Sequence, residues 1–176
     1  MTKYKYMPSE GLAFGEEKDM ERLSDYAKQG WILTGNQFLG YRLRKGEPQD
    51  LIYSVDTQQD ADEDYFLIFK EAGWTHLYSM GDIHYFSAPS GTKPIYSDKD
   101  SLRERFEQDK RFCGKYAVHF FTIVLGSVLL LALAEYFALL HFISVILAVI
   151  FGMTLIPLVF TSMPYFAYRK KLRELA

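Results

Sequence analysis

Two apolar runs near the C-terminal end constrain this chain more than any other feature: residues 116–140 read YAVHFFTIVLGSVLLLALAEYFALL and residues 142–167 read FISVILAVIFGMTLIPLVFTSMPYFA. Each reaches the roughly 20 residues that an α-helix needs to cross hydrocarbon. Little more than His141 separates them, so as helices they must be antiparallel neighbours. A soluble head of roughly 100 residues could not cover about 50 consecutive apolar residues, which makes lipid the expected solvent for the last third. The bland whole-chain mean hydropathy of −0.09 averages two regions built for different solvents.

The charge distribution follows the same division. Up to Asp100 there are 11 Lys/Arg against 17 Asp/Glu, a net of −6, whereas residues 116–168 hold no Lys or Arg and one acid, Glu135. An acidic head without a basic stripe excludes direct nucleic-acid binding, because phosphate recognition needs clustered cations that displace counterions. Cys113 is the lone cysteine, which rules out an intramolecular disulfide and, with four scattered histidines, any zinc-type cluster. No cofactor or metal is expected. The start, MTKYKYMP, lacks a signal peptide's apolar core, so insertion falls to the apolar runs.

Lys/Arg asymmetry predicts orientation. Arg103, Arg105, Lys110, Arg111 and Lys115 precede the first run, Arg169, Lys170, Lys171 and Arg173 follow the second, and the turn has none. Both termini are therefore expected in the cytoplasm of a multi-pass cell-membrane protein. Tyr116, Tyr165, Phe166 and Tyr168 fall at the inner interface and Tyr136 and Phe137 near the outer one, where Glu135 and His141 are solvated. Ser144, Ala148 and Gly152 in the second span, with Ala134 and Ala138 in the first, form small-residue faces expected to pack the two helices together. The same face suits a homodimer or a membrane partner, and the residues leave that choice open. Pro157 is expected to bend the second span. Cys113 is equally readable as a palmitoylation site and as a small interfacial residue.

The first 100 residues carry a self-similarity. Tyr26-Ala27-Lys28-Gln29-Gly30-Trp31 resembles Phe69-Lys70-Glu71-Ala72-Gly73-Trp74, with 43 residues between the tryptophans. In each copy an acidic stretch (Glu16, Glu17, Asp19; Asp60, Asp62, Glu63, Asp64) opens an amphipathic helix and complements its positive end. Met20, Leu23 and Ala27, then Phe66, Phe69 and Ala72, follow helical spacing, and Gly30 and Gly73 stand where a C-cap needs positive φ. Leading strands fall near Tyr4–Met7 and Leu51–Val55, and strand pairs follow each helix at Trp31–Phe38 and Gly40–Arg44, then at Trp74–Tyr78 and Ile83–Ser87. The expected fold is an α+β head of duplicated strand-helix-strand-strand units, an antiparallel sheet with two helices on one face, followed by a two-helix transmembrane hairpin. The domain limits are 1–100 for the head, 101–115 for a charged helical connector whose Ser101-Leu102-Arg103-Glu104 start matches a capping box, 116–168 for the spans and 169–176 for a basic tail.

Chemistry-bearing patterns are sparse. Asp60, Asp62, Asp64 and Glu71 match four positions of a calcium loop, but Tyr65 stands where that loop needs glycine, and Asp60 and Glu63 have capping-box spacing. His76 and His84 fall on adjacent expected strands without a nucleophile at motif spacing. Among the many head tyrosines, Tyr41, Tyr53, Tyr85 and Tyr96 are the candidates for an open aromatic surface that binds a partner.

Gly30-Trp31, Tyr41 with Gly46-Glu47-Pro48, Tyr53 to Asp56, Tyr65-Phe66 to Gly73-Trp74, Tyr85-Phe86 and Ile95-Tyr96-Ser97-Asp98 together resemble a bacterial domain of unknown function, number 2812, over about residues 30–101. That resemblance implies a bacterial plasma-membrane protein whose gene neighbours encode PadR-like transcriptional regulators, and it carries over no catalytic residue. The expected function is a non-enzymatic membrane-tethered sensor or adaptor whose head binds a protein partner or small ligand. The alternative is an accessory or immunity-type protein acting through its hairpin. Carbonate-washed membranes should retain the full-length chain; recovery in the supernatant after ultracentrifugation would contradict the lipid assignment.

Overall fold

The computed structural model describes residues 3–136 and 141–175. It divides into two compact units, residues 1–102 and 103–176. The first unit contains β1 (Tyr4–Pro8), α1 (Leu12–Lys28), β2 (Trp31–Gln37), β3 (Gly40–Lys45), β4 (Leu51–Thr57), α2 (Glu63–Glu71), β5 (Thr75–Met80) and β6 (Ile83–Pro89). These form two antiparallel three-stranded sheets, ordered β1-β3-β2 and β4-β6-β5, each with the middle strand last in sequence. The head is thus α+β, with the same strand-helix-strand-strand order in each half.

Alternation along β6 explains how the sheets are used. Tyr85 faces the core formed by Met7, Met20, Leu23, Leu33, Tyr41, Leu43, Tyr53 and Val55, whereas Phe86 and Ala88 face a second cluster with Trp74 and the half-buried Tyr65, Phe66 and Phe69 of α2. α1 accordingly packs on the inner side, against residues of both sheets, and α2 covers the opposite face of β4-β6-β5. The structure therefore departs from the one-face arrangement: a strand buried on both sides, residues 84–88 of β6, needs a layer on each.

Helix ends show where local signals were decisive and where neighbours competed. Gly30 and Gly73 follow the helices with φ of 78° and 87°. A Cβ on Gly30 would come 2.6 Å from the Gly46 carbonyl oxygen, so this position needs glycine for space as well as for conformation. α2 is capped by Asp62, whose carboxylate accepts the Tyr65 amide at 2.9 Å, rather than by Asp60. α1 begins earlier than the acidic stretch suggests, at Leu12 after Gly11, which places Glu16 and Asp19 inside the helix.

In the second unit, α3 runs Lys99–Tyr136 and α4 runs His141–Leu175, so connector, spans and basic tail are all helical. Asp98, not Ser101, supplies the cap of α3: its carboxylate accepts the Ser101 amide at 2.8 Å and hydroxyl at 2.9 Å, which holds its pKa below the usual range. α4 continues through Pro157 and Pro164, and the Thr161 hydroxyl donates to the Pro157 carbonyl at 2.8 Å. Both helices are long and apolar enough to cross a membrane.

The two helices are antiparallel: Phe106 meets Tyr168 at 6.0 Å, and a Cβ on Gly114 would touch the Tyr165 ring at 3.2 Å. Among the covered positions one row steps by four and three, at Cys113, Ala117, Phe120, Val124, Ser127, Leu131 and Ala134 on α3 and at Ser144, Leu147, Phe151, Thr154, Leu158, Thr161, Tyr165 and Tyr168 on α4. Ala134 is buried and Ser144 half-buried, whereas Ala148 and Gly152 are exposed, and a Cβ on Gly152 would meet nothing within 4 Å. The expected seam through Ala148 and Gly152 is thus corrected. The small residues that let the axes approach sit on α3, at Gly114, Ala117, Ser127 and Ala134. Ala138 and Phe137, and the side chain of His141, lie outside the described residues.

Gly30→Ala should destabilise the head by more than the roughly 1 kcal/mol typical of a left-handed alanine, because the Gly46 contact adds to the backbone strain. Gly81→Ala, at φ 60° with open space around it, should cost only that strain. Thermal unfolding of the two full-length variants, followed by tryptophan fluorescence, checks the order.

Candidate functional site

The most developed site grows from a buried charge. Ser9 and Glu10 follow β1, and Asp19 lies two turns into α1 with no exposed surface. Such a carboxylate persists only if its lone pairs are satisfied. It accepts the Ser9 hydroxyl at 2.6 Å, the Glu10 amide at 3.0 Å and the Tyr41 hydroxyl at 3.3 Å, with the Arg22 guanidinium 3.6 Å away. Glu16, one turn earlier on the same face, is also buried. Burial drives the Tyr41 phenol far above its ordinary pKa, a hydrogen bond with Ser9 offsets part of that, and the nearby Tyr85 and Asp19 add to it, so the phenol remains a neutral donor.

From Tyr41 the polar network continues into the other half of the head. The Tyr41 and Tyr85 rings meet edge to face at 6.1 Å, the Asn36 amide donates to the Tyr85 oxygen at 3.4 Å, and the Tyr78 hydroxyl donates to the Asn36 carbonyl at 2.5 Å. Asn36 also reaches Met80 Sδ at 3.0 Å, which brings β2 beside β5. Above this floor opens a cleft of about 540 Å³, lined by Ser9, Gly11, Leu12, residues 36–41, Met80 and Tyr85. Its volume falls in the range of small-molecule sites.

The mouth is apolar and conspicuously exposed. Phe38 is 85% exposed and Leu39 62%, and Phe14 and Met80 are also largely solvent-facing. Leu39 holds a positive φ of 53° in the β2–β3 turn, a conformation that leucine adopts only under constraint. Its carbonyl accepts the Ser9 amide at 3.0 Å and the Tyr6 hydroxyl at 3.1 Å. The strained turn thereby keeps two large apolar side chains over the cleft.

Of the four tyrosines expected on an open surface, the structure brings Tyr41 and Tyr85 together on the cleft floor but buries their rings, and Tyr53 is buried in the same core. The partner-binding surface is therefore corrected: the β preference for aromatics placed these residues inside. Tyr96 is half-buried elsewhere; it and Tyr65 donate to Asp56, Tyr65 at 2.8 Å, tying the segment after β6 to β4. His76 and His84 are joined after all, by Ser79, whose oxygen lies 2.9 Å from His76 Nε2 and 2.7 Å from His84 Nδ1. His84 Nε2 faces the Gln58 carbonyl at 3.1 Å, and that oxygen can only accept, so Nε2 carries a proton. Burial and His84 lower the His76 pKa.

A family model described as Protein of unknown function (DUF2812) matches residues 15–118, more than half of the chain. The chain belongs to the DUF2812 family. No curated protein and no solved structure gives a significant match. The matched segment holds Asn36 to Tyr41, Met80 and Tyr85, whereas Ser9, Gly11 and Leu12 precede it.

Sequence reasoning passed over the decisive residues for identifiable reasons. Glu16 and Asp19 read as dipole-complementing acids, yet they share the helical stripe of Met20, Leu23 and Ala27, which marks them as buried. Phe38-Leu39 is an apolar pair where a two-residue hairpin turn normally places Asn-Gly, and that anomaly was the available signal for the mouth.

The buried phenols set the alkaline limit of the head. Burial raises the pKa of Tyr41, Tyr53, Tyr78 and Tyr85. An unfolded tyrosine loses its proton near pH ~10, so above that value the unfolded state binds fewer protons and stability falls as pH rises. Tyrosinate absorbance near 295 nm should rise in two phases: exposed phenols first, then the buried ones as the head unfolds.

Proposed function

We propose that this protein is a membrane-anchored sensor whose head takes up a small ligand by binding rather than by catalysis. The observation that carries this reading is the cleft between the two halves, where an apolar, strained mouth stands over a hydroxyl-lined floor. A molecule with an apolar body and a hydrogen-bonding end fits that division. The β2–β3 turn and Met80 of β5 come from different halves, so occupancy couples their spacing. α3 and α4 supply the anchor, with both termini on the cytoplasmic side of the cell membrane, and anchoring raises the local concentration of the head at that surface. The read-out is a protein partner, a transcriptional regulator of the PadR-like kind being the class that the family resemblance suggests.

A thermal-shift screen of the full-length protein in nanodiscs against small amphiphiles should find compounds that raise its melting temperature. Met80→Trp, which fills the mouth, should weaken that response at least tenfold, measured against the melting of the ligand-free variant itself. Failure of every compound, or an unaltered response in Met80→Trp, overturns the reading. Exchanging α3 and α4 for an unrelated hairpin should leave ligand binding intact; a cellular phenotype lost in that exchange while binding survives would favour an accessory role of the spans.

A further inference from the structure

The direction of the hydrogen bonds beneath the cleft says which ligands it prefers. Ser9 and Tyr41, both lining residues, spend their hydroxyl protons inward on Asp19, and Tyr78 spends its proton on Asn36. A hydroxyl whose proton is committed to a buried carboxylate can only accept on its other side, and Ser9 keeps one lone pair for this after accepting the Gly11 amide at 2.9 Å. The amides of the β1–α1 connection are committed as well, Glu10 to Asp19 and Gly11 to the Ser9 oxygen.

Charge points the same way. Two buried acids, Glu16 and Asp19, lie under the floor, and one guanidinium, Arg22, approaches Asp19 while also donating to the Pro8 carbonyl at 3.3 Å. Lys18 is occupied by Glu10 at 2.7 Å. None of the described lining residues of the cleft is charged, so the acids beneath the floor act on a ligand through protein rather than through water. The Tyr85 phenol lies within this field: burial raises its pKa most, hydrogen bonds with Asn36 and Tyr41 offset part of that, and Glu16 and Asp19 raise it by smaller amounts. The mouth adds the aromatic face of Phe38 and the thioether of Met80, which suit a cation on an apolar body.

We infer that the cleft selects organic cations, specifically an amine or ammonium group carried on a hydrophobic body, with the charged end seated among Ser9, Tyr41 and Tyr85 and the body under Phe38, Leu39 and Met80. This rests on the ligand-cleft reading above and adds the class of ligand to it.

Three near-isosteric probes separate the possibilities: 4-phenylbutylamine, 4-phenylbutan-1-ol and 4-phenylbutyrate, titrated calorimetrically into full-length protein in nanodiscs with empty nanodiscs subtracted. The amine should bind at least tenfold more tightly than the alcohol, with the carboxylate weakest. Glu16→Gln should reduce the amine-over-alcohol ratio to threefold or less. Tyr41→Phe, a variant that keeps the ring, should weaken the amine at least threefold and serves where Glu16→Gln does not fold. Equal or tighter binding of the alcohol, preference for the carboxylate, or amine binding that survives Met80→Trp overturns the cation assignment. Absence of binding by all three overturns it too, whereas the cleft reading stands or falls separately on the amphiphile screen.

Discussion

The organisation of the head depends on stabilising one carboxylate away from water. Asp19 has no exposed surface, and an ionised group in that position costs several kcal/mol unless its partners are fixed in place. Those partners come from the end of β1, from α1 and from β3, so satisfying the charge fixes the mutual placement of three elements. The Tyr41 phenol then transmits this order to Tyr85, Asn36 and Tyr78, and hence to the second half. The cleft is the space left where the two halves diverge above that network. Its geometry is therefore secured from beneath by charge satisfaction and from above by the Leu39 turn, with little demand on the apolar side chains at the mouth.

Much of this architecture was legible in the chain. Short strand-like runs bounded by turn residues marked all six strands. Gly30 and Gly73 marked both helix ends, since positive φ leaves few alternatives. The apolar runs were unambiguous by length. What escaped were choices between equivalent local partners. Asp60 and Asp62, or Asp98 and Ser101, are equally good caps by composition, and only the path of the preceding chain selects one. Likewise, alternation assigns Tyr41 to one face of β3 and Tyr85 to one face of β6 but does not tell whether either face is covered. Here both enter one core shared by the two sheets and α1, a tertiary fact without a local signature.

The same limitation explains the hairpin seam. Small residues at four-residue spacing, as at Ser144, Ala148 and Gly152, form a continuous row on an isolated helix, but a helix committed to an antiparallel neighbour over many turns follows alternating steps of three and four. The row drifts out of such a seam after one step, leaving Ala148 and Gly152 outward. Polar seam residues are accommodated internally: Ser127 donates to the Val124 carbonyl at 2.8 Å and Thr154 to that of Phe151 at 2.7 Å, so neither demands a partner across the interface.

That stepping has a mechanical consequence. A seam averaging 3.5 residues per turn on helices whose natural period is 3.6 is kept in register only by a gentle left-handed winding of one helix about the other. Matched heptad insertions in both helices would lengthen the pair by about 10 Å while leaving its azimuth unchanged, whereas a four-residue insertion would rotate everything beyond it and strain the winding. The length of the hairpin and its rotation are thus independently adjustable, the first in quanta of seven.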